Sequence, residues 1–417
     1  MRHHEGMPLL SAIGSAMSGP RVPYGQSVHG EAEIEAVVDV LRSSTQMGDR
    51  TEVFEARVAA LFAKRFGLMV NSGSSALYLA IELLDLPEGG EVITPALTFA
   101  TTVAPLVRAG LVPAFVDVAE GTYNIDADCV EAMITSNTHA LVVPNLIGNL
   151  PDWDSLRALA DSHDLVVVED SADTLGATLK GTSTGTRADF SATSFYGSHI
   201  INCAGNGGLL ALDDPELARR ARLLRSWGRS SSVFGKDEHE TIAARFDIEL
   251  DGIEYDRKFV FEELGFNLEP SEIGAAFGLI QLDGLEANIE ARCANFTAHL
   301  DFFRSFEDHF ILPREQEGAR TGWLAFPLTI REGAPFTRRE FQVHLEEHNI
   351  QTRPVFTGNI LRQPGFSGIA RKESPDGYPQ ADRVMRGGIL LGCHQGLDTT
   401  QIAWLHETAC AFLKARG

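Results

Sequence analysis

Apolar positions change their period along the first half of the chain. Residues 31–44, EAEIEAVVDVLRSS, place apolar side chains at helical spacing, with acids in the first turn that suit a helix N-terminus. Residues 51–66 predict a second amphipathic helix. From there short apolar runs alternate with helical segments. LMVNSGSSALYLAIELL reads as a strand, a small-residue turn and a helix, and EVITPALTFATTVAPLVRAG repeats this with a helix opening near Thr98. PAFVDV, HALVVPNLIG and DLVVVEDSA are further apolar runs. DWDSLRALADSHD is a helix with a capping aspartate and i, i+3, i+4 apolar spacing. This alternation predicts an α/β fold around a mostly parallel sheet. In such sheets ligand-binding groups gather at the carboxyl ends of the strands. Ser72–Ser75, Phe99, Asp170 and His199 all fall at or just beyond such ends.

Past residue 210 the pattern predicts a helix over ELARRARLLRSWG, a long loop over the polar, acidic stretch 229–255, and one long helical region over EPSEIGAAFGLIQLDGLEANIEARCANFTAHLDFFRSF. Residues 321–415 are α+β: a strand (WLAFPLTI), a helix (TRREFQVHLEEHN), an extended piece and a last helix. The implied organisation is an N-terminal arm and helix over 1–45, a large α/β domain over 46–290 and a small α+β domain over 291–417.

Composition narrows the functional classes. The 417 residues are 44% hydrophobic, ample for a large core, and 22% charged, an ordinary globular value. The net charge of −22 repels nucleic acid and anionic membrane, so neither is an expected partner, and an anionic ligand must be met by local donors. No apolar run is long enough to span a bilayer. The opening MRHHEGMPLLSAIGSAMSGPRVPYG lacks the apolar stretch of a signal peptide and reads as a frayed or tag-like end. Cys129, Cys203, Cys293, Cys393 and Cys410 are scattered and form no CxxC pair, which points to a reduced, cytoplasmic compartment.

Several residue groups have a structural reading and a chemical one. Ser72-Gly73-Ser74-Ser75 is either a plain turn or a phosphate cradle, where small residues let backbone N–H groups and a helix N-terminus approach an anion. Asp170, at the end of LVVVED, is either a helix cap or the fixed anion that keeps a heteroaromatic nitrogen protonated as an electron sink. Phe99 is either core or a stacking surface for a planar ring. In SFYGSHIINCAGNGG, Ser194 can add a hydroxyl to a phosphate. His199 lies in a turn, where an imidazole can move a proton near neutral pH. The trailing GNGG predicts a tight turn.

In this order, these motifs resemble the DegT/DnrJ/EryC1/StrS family of sugar aminotransferases, from about Val22 to Leu413. The resemblance implies the aspartate-aminotransferase fold (fold type I) and pyridoxal or pyridoxamine 5′-phosphate as cofactor. It implies that Ser74, Ser75 and Ser194 bind the phosphate, that Phe99 stacks on the ring, and that Asp170 pairs with the pyridine nitrogen. Gly265-Phe266-Asn267 is similar to the segment whose asparagine reaches the cofactor of the other subunit, which implies a homodimer with shared active sites. The aminotransferases carry a lysine five residues after Ser194; here it is His199, which cannot attach the cofactor covalently. One branch makes the same replacement, the pyridoxamine-phosphate-dependent 3-dehydratases of nucleotide-linked 4-keto-6-deoxyhexoses. GTYNID (121–126), VEDSADTLGAT (168–178), RSWGR (225–229), Tyr255–Leu282 and TRPVFTGNILRQPGF (352–366) resemble it, as does the acid at Asp173. Members acting on the CDP-linked sugar hold a [2Fe–2S] cluster on four cysteines. The matching positions here read Ser171-Ala172 and Ser230-Ser231-Ser232-Val233, and thiolates are obligatory for such a cluster, so none is expected. The resemblance then points to the cluster-free type that acts on GDP-4-keto-6-deoxymannose and regains its amine from L-glutamate.

The resulting expectation is a sugar 3-dehydratase with non-covalent pyridoxamine phosphate and His199 as acid/base, oriented or tuned by Asp173. Arg353 and Arg362 are cationic candidates for the substrate's phosphates, against the reading of a surface salt bridge, and Asn359 for the sugar pocket. The alternatives are a lysine-less aminotransferase, a dehydratase of a sugar nucleoside, and a non-catalytic cofactor-binding partner protein.

Overall fold

A computed structural model describes residues 19–233 and 245–416. The tag-like start and the middle of the 229–255 stretch lie outside the described residues. Two amphipathic helices, α1 (Glu31–Arg42) and α2 (Asp49–Leu61), precede the first strand, β1 (Phe66–Val70), as their spacing dictates. Then follow α3 (Gly73–Leu84), β2 (Glu91–Pro95), α4 (Ala100–Arg108), β3 (Val112–Val116), β4 (Thr138–Pro144), α5 (Trp153–Ser162) and β5 (Val166–Asp170). The large sheet is completed by β6 (Phe190–Ser194) and β7 (Gly208–Leu212), with α6 (Pro215–Arg225) next along the chain.

The seven strands lie in the order β1-β7-β6-β5-β4-β2-β3. Side chains alternate between two buried faces, which is why the central strands are continuously apolar. Ala140, Val142 and Val168 pack beneath α3 and α6, whereas Leu141, Val143 and Val167 pack against Trp153, Leu156 and Ala160 of α5. All pairings are parallel except those of β7, which runs antiparallel to both β1 and β6. The reversal follows from the Ala204–Gly208 turn, where Ala204, Gly205 and Gly207 have positive φ. The register sets Gly208 opposite Val70 on one side and Ser194 on the other.

Two features differ from the sequence expectation. The long helical region is two helices, α7 (Glu272–Asp283) and α8 (Leu285–Phe303), divided at Gly284; α8 runs unbroken through residue 290. The extended piece near the C-terminus contains a helix of its own. The small sheet is built from β8 (Phe310–Ile311), β9 (Ala325–Ile330), β10 (Thr352–Arg353) and β11 (Gly388–Gly392), all antiparallel, in the order β8-β9-β11-β10. It is covered by α9 (Arg338–Glu347), α10 (Pro379–Gly387) and α11 (Thr399–Lys414). α10 opens on Pro379 after the turn residue Gly377, and proline at the first helical position hid it from a reading by breakers. Phenylalanines fill this core: Phe303, Phe310, Phe326, Phe336, Phe341 and Phe412 are buried in one cluster.

Candidate active site

The carboxyl ends of β1, β2, β4, β5 and β6 open onto one cavity of about 370 Å³. Ser72, Phe99, Asn145, Asp170 and Ser194 stand there, each at or just past the end of its strand.

The turn after β1 is built for close approach. Ser72 caps α3, its hydroxyl accepting from the Ser75 amide at 3.1 Å. A Cβ at Gly73 would lie 2.5 Å from Ser194 Cβ, and one at Gly208 would lie 2.3 Å from the Ser72 carbonyl. Glycine alone lets three chain segments converge here. Ser74 and Ser194 both line the cavity beside the N-terminus of α3, a ready anion site. Ser75 does not line it. Its hydroxyl donates to Asn71 Oδ1 at 2.6 Å, so it buttresses the turn.

Asp170 is 6% exposed at the floor. Its Oδ2 accepts from the Thr102 hydroxyl at 2.9 Å, and its Oδ1 from the Ala172 amide at 3.2 Å. Burial pushes its carboxyl up to about 6, against the pull of those two hydrogen bonds. Asp173 accepts from the Ile147 amide at 2.9 Å. Burial, then the charge of Asp170, raises it to about 7. Ile147 itself has φ 62 and ψ 6, a left-handed conformation costly for a β-branched residue. It is held there by Asp173 and by the Leu324 amide, which donates to the Ile147 carbonyl at 2.9 Å. Phe99 is 49% exposed, its ring facing the cavity edge-on to Phe356 with centroids 5.9 Å apart.

His199 lies on the loop after β6. Its Nδ1 is 3.1 Å from the Ser194 carbonyl. A carbonyl can only accept, so Nδ1 carries the proton and Nε2 keeps its lone pair. Burial holds the imidazole down at about 4, so at neutral pH it is an uncharged base.

Ser74, Phe99, Asp170, Asp173, Ser194 and His199 thus meet in one cavity. Four other residues singled out from the sequence do not line it. Asn359 donates to Asp382 at 2.8 Å and caps its own turn. Arg362 forms a bidentate ion pair with the same Asp382, so the surface salt bridge is the reading that holds in the structure. Arg353 has no carboxylate partner among the described residues; its guanidinium lies 5.5 Å over the ring of Tyr24, which does line the cavity. Asn267 is exposed, in a segment that also exposes Phe246, Ile253, Tyr255, Phe259, Phe261 and Leu264. Sequence reasoning missed Tyr24, Thr102, Asn145, Leu324 and Phe356. Thr102 carried a legible signal, one turn into the helix that follows Phe99. Asn145 carried one as well, directly after the apolar run of β4, whereas Tyr24, Leu324 and Phe356 are brought in by tertiary packing.

The serines at the positions compared with cluster cysteines are engaged in hydrogen bonds. Ser171 donates to Glu169 at 2.6 Å, Ser230 to the Arg257 carbonyl at 2.8 Å, and Ser232 to the Arg229 carbonyl at 2.7 Å. No helix among the described residues is long and apolar enough to cross a membrane.

A fold type I sheet, a small-residue phosphate turn and a buried acid at a strand end define a class of vitamin-B6 enzyme. Residues 28–408 match the model of the DegT/DnrJ/EryC1/StrS aminotransferase family, and the chain belongs to that family. It is 34% identical to dTDP-4-dehydro-2,6-dideoxy-D-glucose 3-dehydratase from Saccharopolyspora spinosa, over 95% of this chain and 87% of that one. It is 33% identical to lipopolysaccharide biosynthesis protein RfbH from Salmonella typhimurium, over 92% and 90%. Among solved structures it is similar to E. coli GDP-4-keto-6-deoxy-D-mannose-3-dehydratase with bound hydrated PLP (TM-score 0.84, 26% identity, 93% of this chain and 99% of that one). A structure of a GDP-4-keto-6-deoxymannose-3-dehydratase with a trapped PLP–glutamate geminal diamine is also similar (TM-score 0.83, 27%, 93% and 100%).

Proposed function

We propose that the protein is a pyridoxamine-phosphate-dependent 3-dehydratase of a nucleotide-linked 4-keto-6-deoxyhexose, working without an iron–sulfur cluster. The observation that carries this reading is His199. At the position where the aminotransferases of the family bear a lysine, the cavity has a neutral imidazole whose Nδ1–H is fixed by the Ser194 carbonyl. The dehydratases among the similar proteins support the same reaction.

The cavity fits the cofactor: a glycine-only cradle lined by Ser74 and Ser194, a buried acid, and the half-exposed Phe99 ring. When bound, pyridoxamine phosphate supplies an amine that condenses with the sugar ketone and a pyridinium that draws electrons from the neighbouring carbon. Ser74, Ser194 and the N-terminus of α3 hold its phosphate, Asp170 its ring N–H, and Phe99 one face. His199 cannot bond to it, so it stays non-covalent. The imidazole accepts a proton at Nε2 and returns one to the departing 3-hydroxyl. Such acid–base help is worth about 10²–10⁴-fold in rate. Asp173 holds the backbone bend at Ile147, beside the cavity residue Leu146. Arg353, without a carboxylate partner among the described residues and lying over the ring of the cavity residue Tyr24, is the donor for substrate phosphate. Overall, keto sugar and L-glutamate become 3-deoxy keto sugar, 2-oxoglutarate and ammonia, and the glutamate adduct in a similar enzyme supports that donor.

The functional unit is a homodimer. The exposed apolar run from Phe246 to Phe266 is what a second copy would cover, and it would bring Asn267 to the partner's cofactor phosphate. Serine in place of cysteine at positions 171, 230 and 232 supports the reading without a cluster.

The test incubates purified protein with pyridoxal phosphate, glutamate and GDP- or dTDP-linked 4-keto-6-deoxyhexoses, and follows products by NMR. A 3-deoxy sugar with one 2-oxoglutarate per turnover supports dehydration. A 4-amino sugar replaces this reading with transamination, and no turnover of any keto sugar removes it.

A further inference from the structure

Arg292 of α8 is buried to 0% exposure, yet no carboxylate among the described residues is in hydrogen-bond contact with it. Its Nε donates to Gln395 Oε1 at 2.8 Å, Nη1 to the Trp323 and Leu324 carbonyls at 3.0 and 3.1 Å, and Nη2 to the Ser198 and His199 carbonyls at 3.4 and 3.2 Å. A guanidinium has five N–H donors, and all five end on neutral oxygens. The charge is desolvated without a contacting counter-ion, Asp173 acting on it only through space, an arrangement that folding alone does not favour.

We propose that Arg292 is a positioning residue for His199: it clamps the loop bearing the imidazole to the Trp323–Leu324 wall of the cavity and leaves a buried positive charge facing that imidazole. This rests on the reading of His199 as the base. The geometry extends beyond one side chain. Asn288, one turn earlier on α8, donates to the Ile200 carbonyl at 3.0 Å, and Gln395 donates to the same carbonyl at 3.2 Å. Three successive loop carbonyls, 198 to 200, are thus pinned by side chains of α8 and of the segment after β11. Leu324, whose carbonyl shares Nη1, lines the cavity. The base and the Leu324 part of the cavity wall therefore hang on one planar fork.

The charge has a separate consequence. A cation beside an imidazole disfavours a second positive charge, so Arg292 acts with burial to keep His199 unprotonated. The other titratable groups around the imidazole are Tyr24, Asp170, Asp173 and Tyr196, which line the same cavity. Cys393 and His394 are the further titratable groups that Arg292's charge acts on. Lysine in place of Arg292 keeps the charge and loses the fork; glutamine keeps part of the hydrogen bonding and loses the charge; Asn288→Leu loosens the loop and leaves the charge alone.

The test is a pH titration of ring-labelled histidine by NMR on the full chain without substrate, with His199→Asn for assignment. In Arg292→Gln the His199 midpoint is expected to rise, with burial still holding it below the ordinary histidine value. In Arg292→Lys and Asn288→Leu it stays within a few tenths of wild type, while kcat falls about tenfold in Arg292→Lys with little change in KM. A folded Arg292→Gln protein with an unmoved midpoint overturns the proposal. If that variant does not fold, Arg292→Lys decides: a midpoint rising to the ordinary value there overturns it equally. Because the titration needs no substrate, a shifted midpoint in a protein that dehydrates no sugar would remove the functional reading and leave the positioning role standing.

Discussion

Thr102→Val is a near-isosteric change that removes the hydroxyl donated to Asp170 at 2.9 Å. Hydrogen bonds to charged groups are worth about 1.5–3 kcal/mol, and one pKa unit is about 1.4 kcal/mol. Losing this one raises Asp170 by about one to two units above its value of about 6. The carboxyl of the variant is then about half to nine-tenths neutral at pH 7, and only the ionised remainder holds a ring N–H. Cofactor affinity at pH 7 is expected to fall about two- to tenfold, following the fraction of Asp170 left ionised. The pH at which affinity drops on acidification moves from about 6 in wild type to about 7–8 in the variant. The linkage sign gives a second reading. Asp170 is raised in the folded state, so the native protein binds more protons than the unfolded chain between 3.8 and about 6. Its burial opposes folding above that window and is relieved as pH falls through it. The stability difference between variant and wild type must therefore be wider at pH 8 than at pH 5. A pH-independent remainder of about 1 kcal/mol comes from the Thr98 hydroxyl, which loses its acceptor. Fluorescence titration with pyridoxal phosphate from pH 5.5 to 9, with urea unfolding at pH 5 and 8, measures both. An unmoved affinity midpoint, or a stability difference equal at both pH values, would refute the reasoning.

Three further outcomes are expected. His199→Lys should give cofactor that remains on the denatured chain after borohydride reduction and should divert products toward amino sugar, while His199→Asn should lower dehydration about 10²–10⁴-fold without weakening cofactor binding; mass spectrometry and product NMR check both. Leu264→Asp, at a side chain 96% exposed in one subunit, should leave the thermal stability of dilute protein nearly unchanged yet shift sedimentation from dimer to monomer; an unaltered dimer would place the interface elsewhere. His299 and His406 share a hydrogen bond at 2.9 Å, and burial holds them at about 3 and about 4. Their folded values are depressed, so stability is intact above about 6.5 and falls as pH drops toward 4, by about 1 kcal/mol per pH unit for each. Urea unfolding of His406→Gln should show a shallower acid slope than wild type.

The parts of the site readable in sequence are those that one strand and its following turn define alone. Ser72–Ser75, Phe99, Asp170 and Ser194 each end an apolar run, and the sheet brings such ends together whatever the loops do. Residues claimed by distant partners could not be read so. Nothing near Arg362 or Asn359 in the chain reveals that Asp382 binds both, and nothing near Arg292 reveals that its acceptors are 31 to 103 positions away. The reversal of β7 was likewise hidden, because an apolar strand buried on both faces looks the same in either direction. The break at Gly284 escaped because apolar spacing continues at helical period across it.

The left-handed Ile147 has a consequence for how the chain could be divided. Its strain, about 1–3 kcal/mol for such a conformation, is balanced from two sides: Asp173 grips the amide and Leu324 the carbonyl. The second grip belongs to the segment leading into β9. A fragment ending after α8 would keep the phosphate turn, Asp170 and His199, but the tethered bend at Leu146–Gly148 would spring toward an ordinary backbone shape. The pocket is thus tensioned by its C-terminal half, and a truncated protein should bind cofactor loosely while leaving the sugar side of the cavity open.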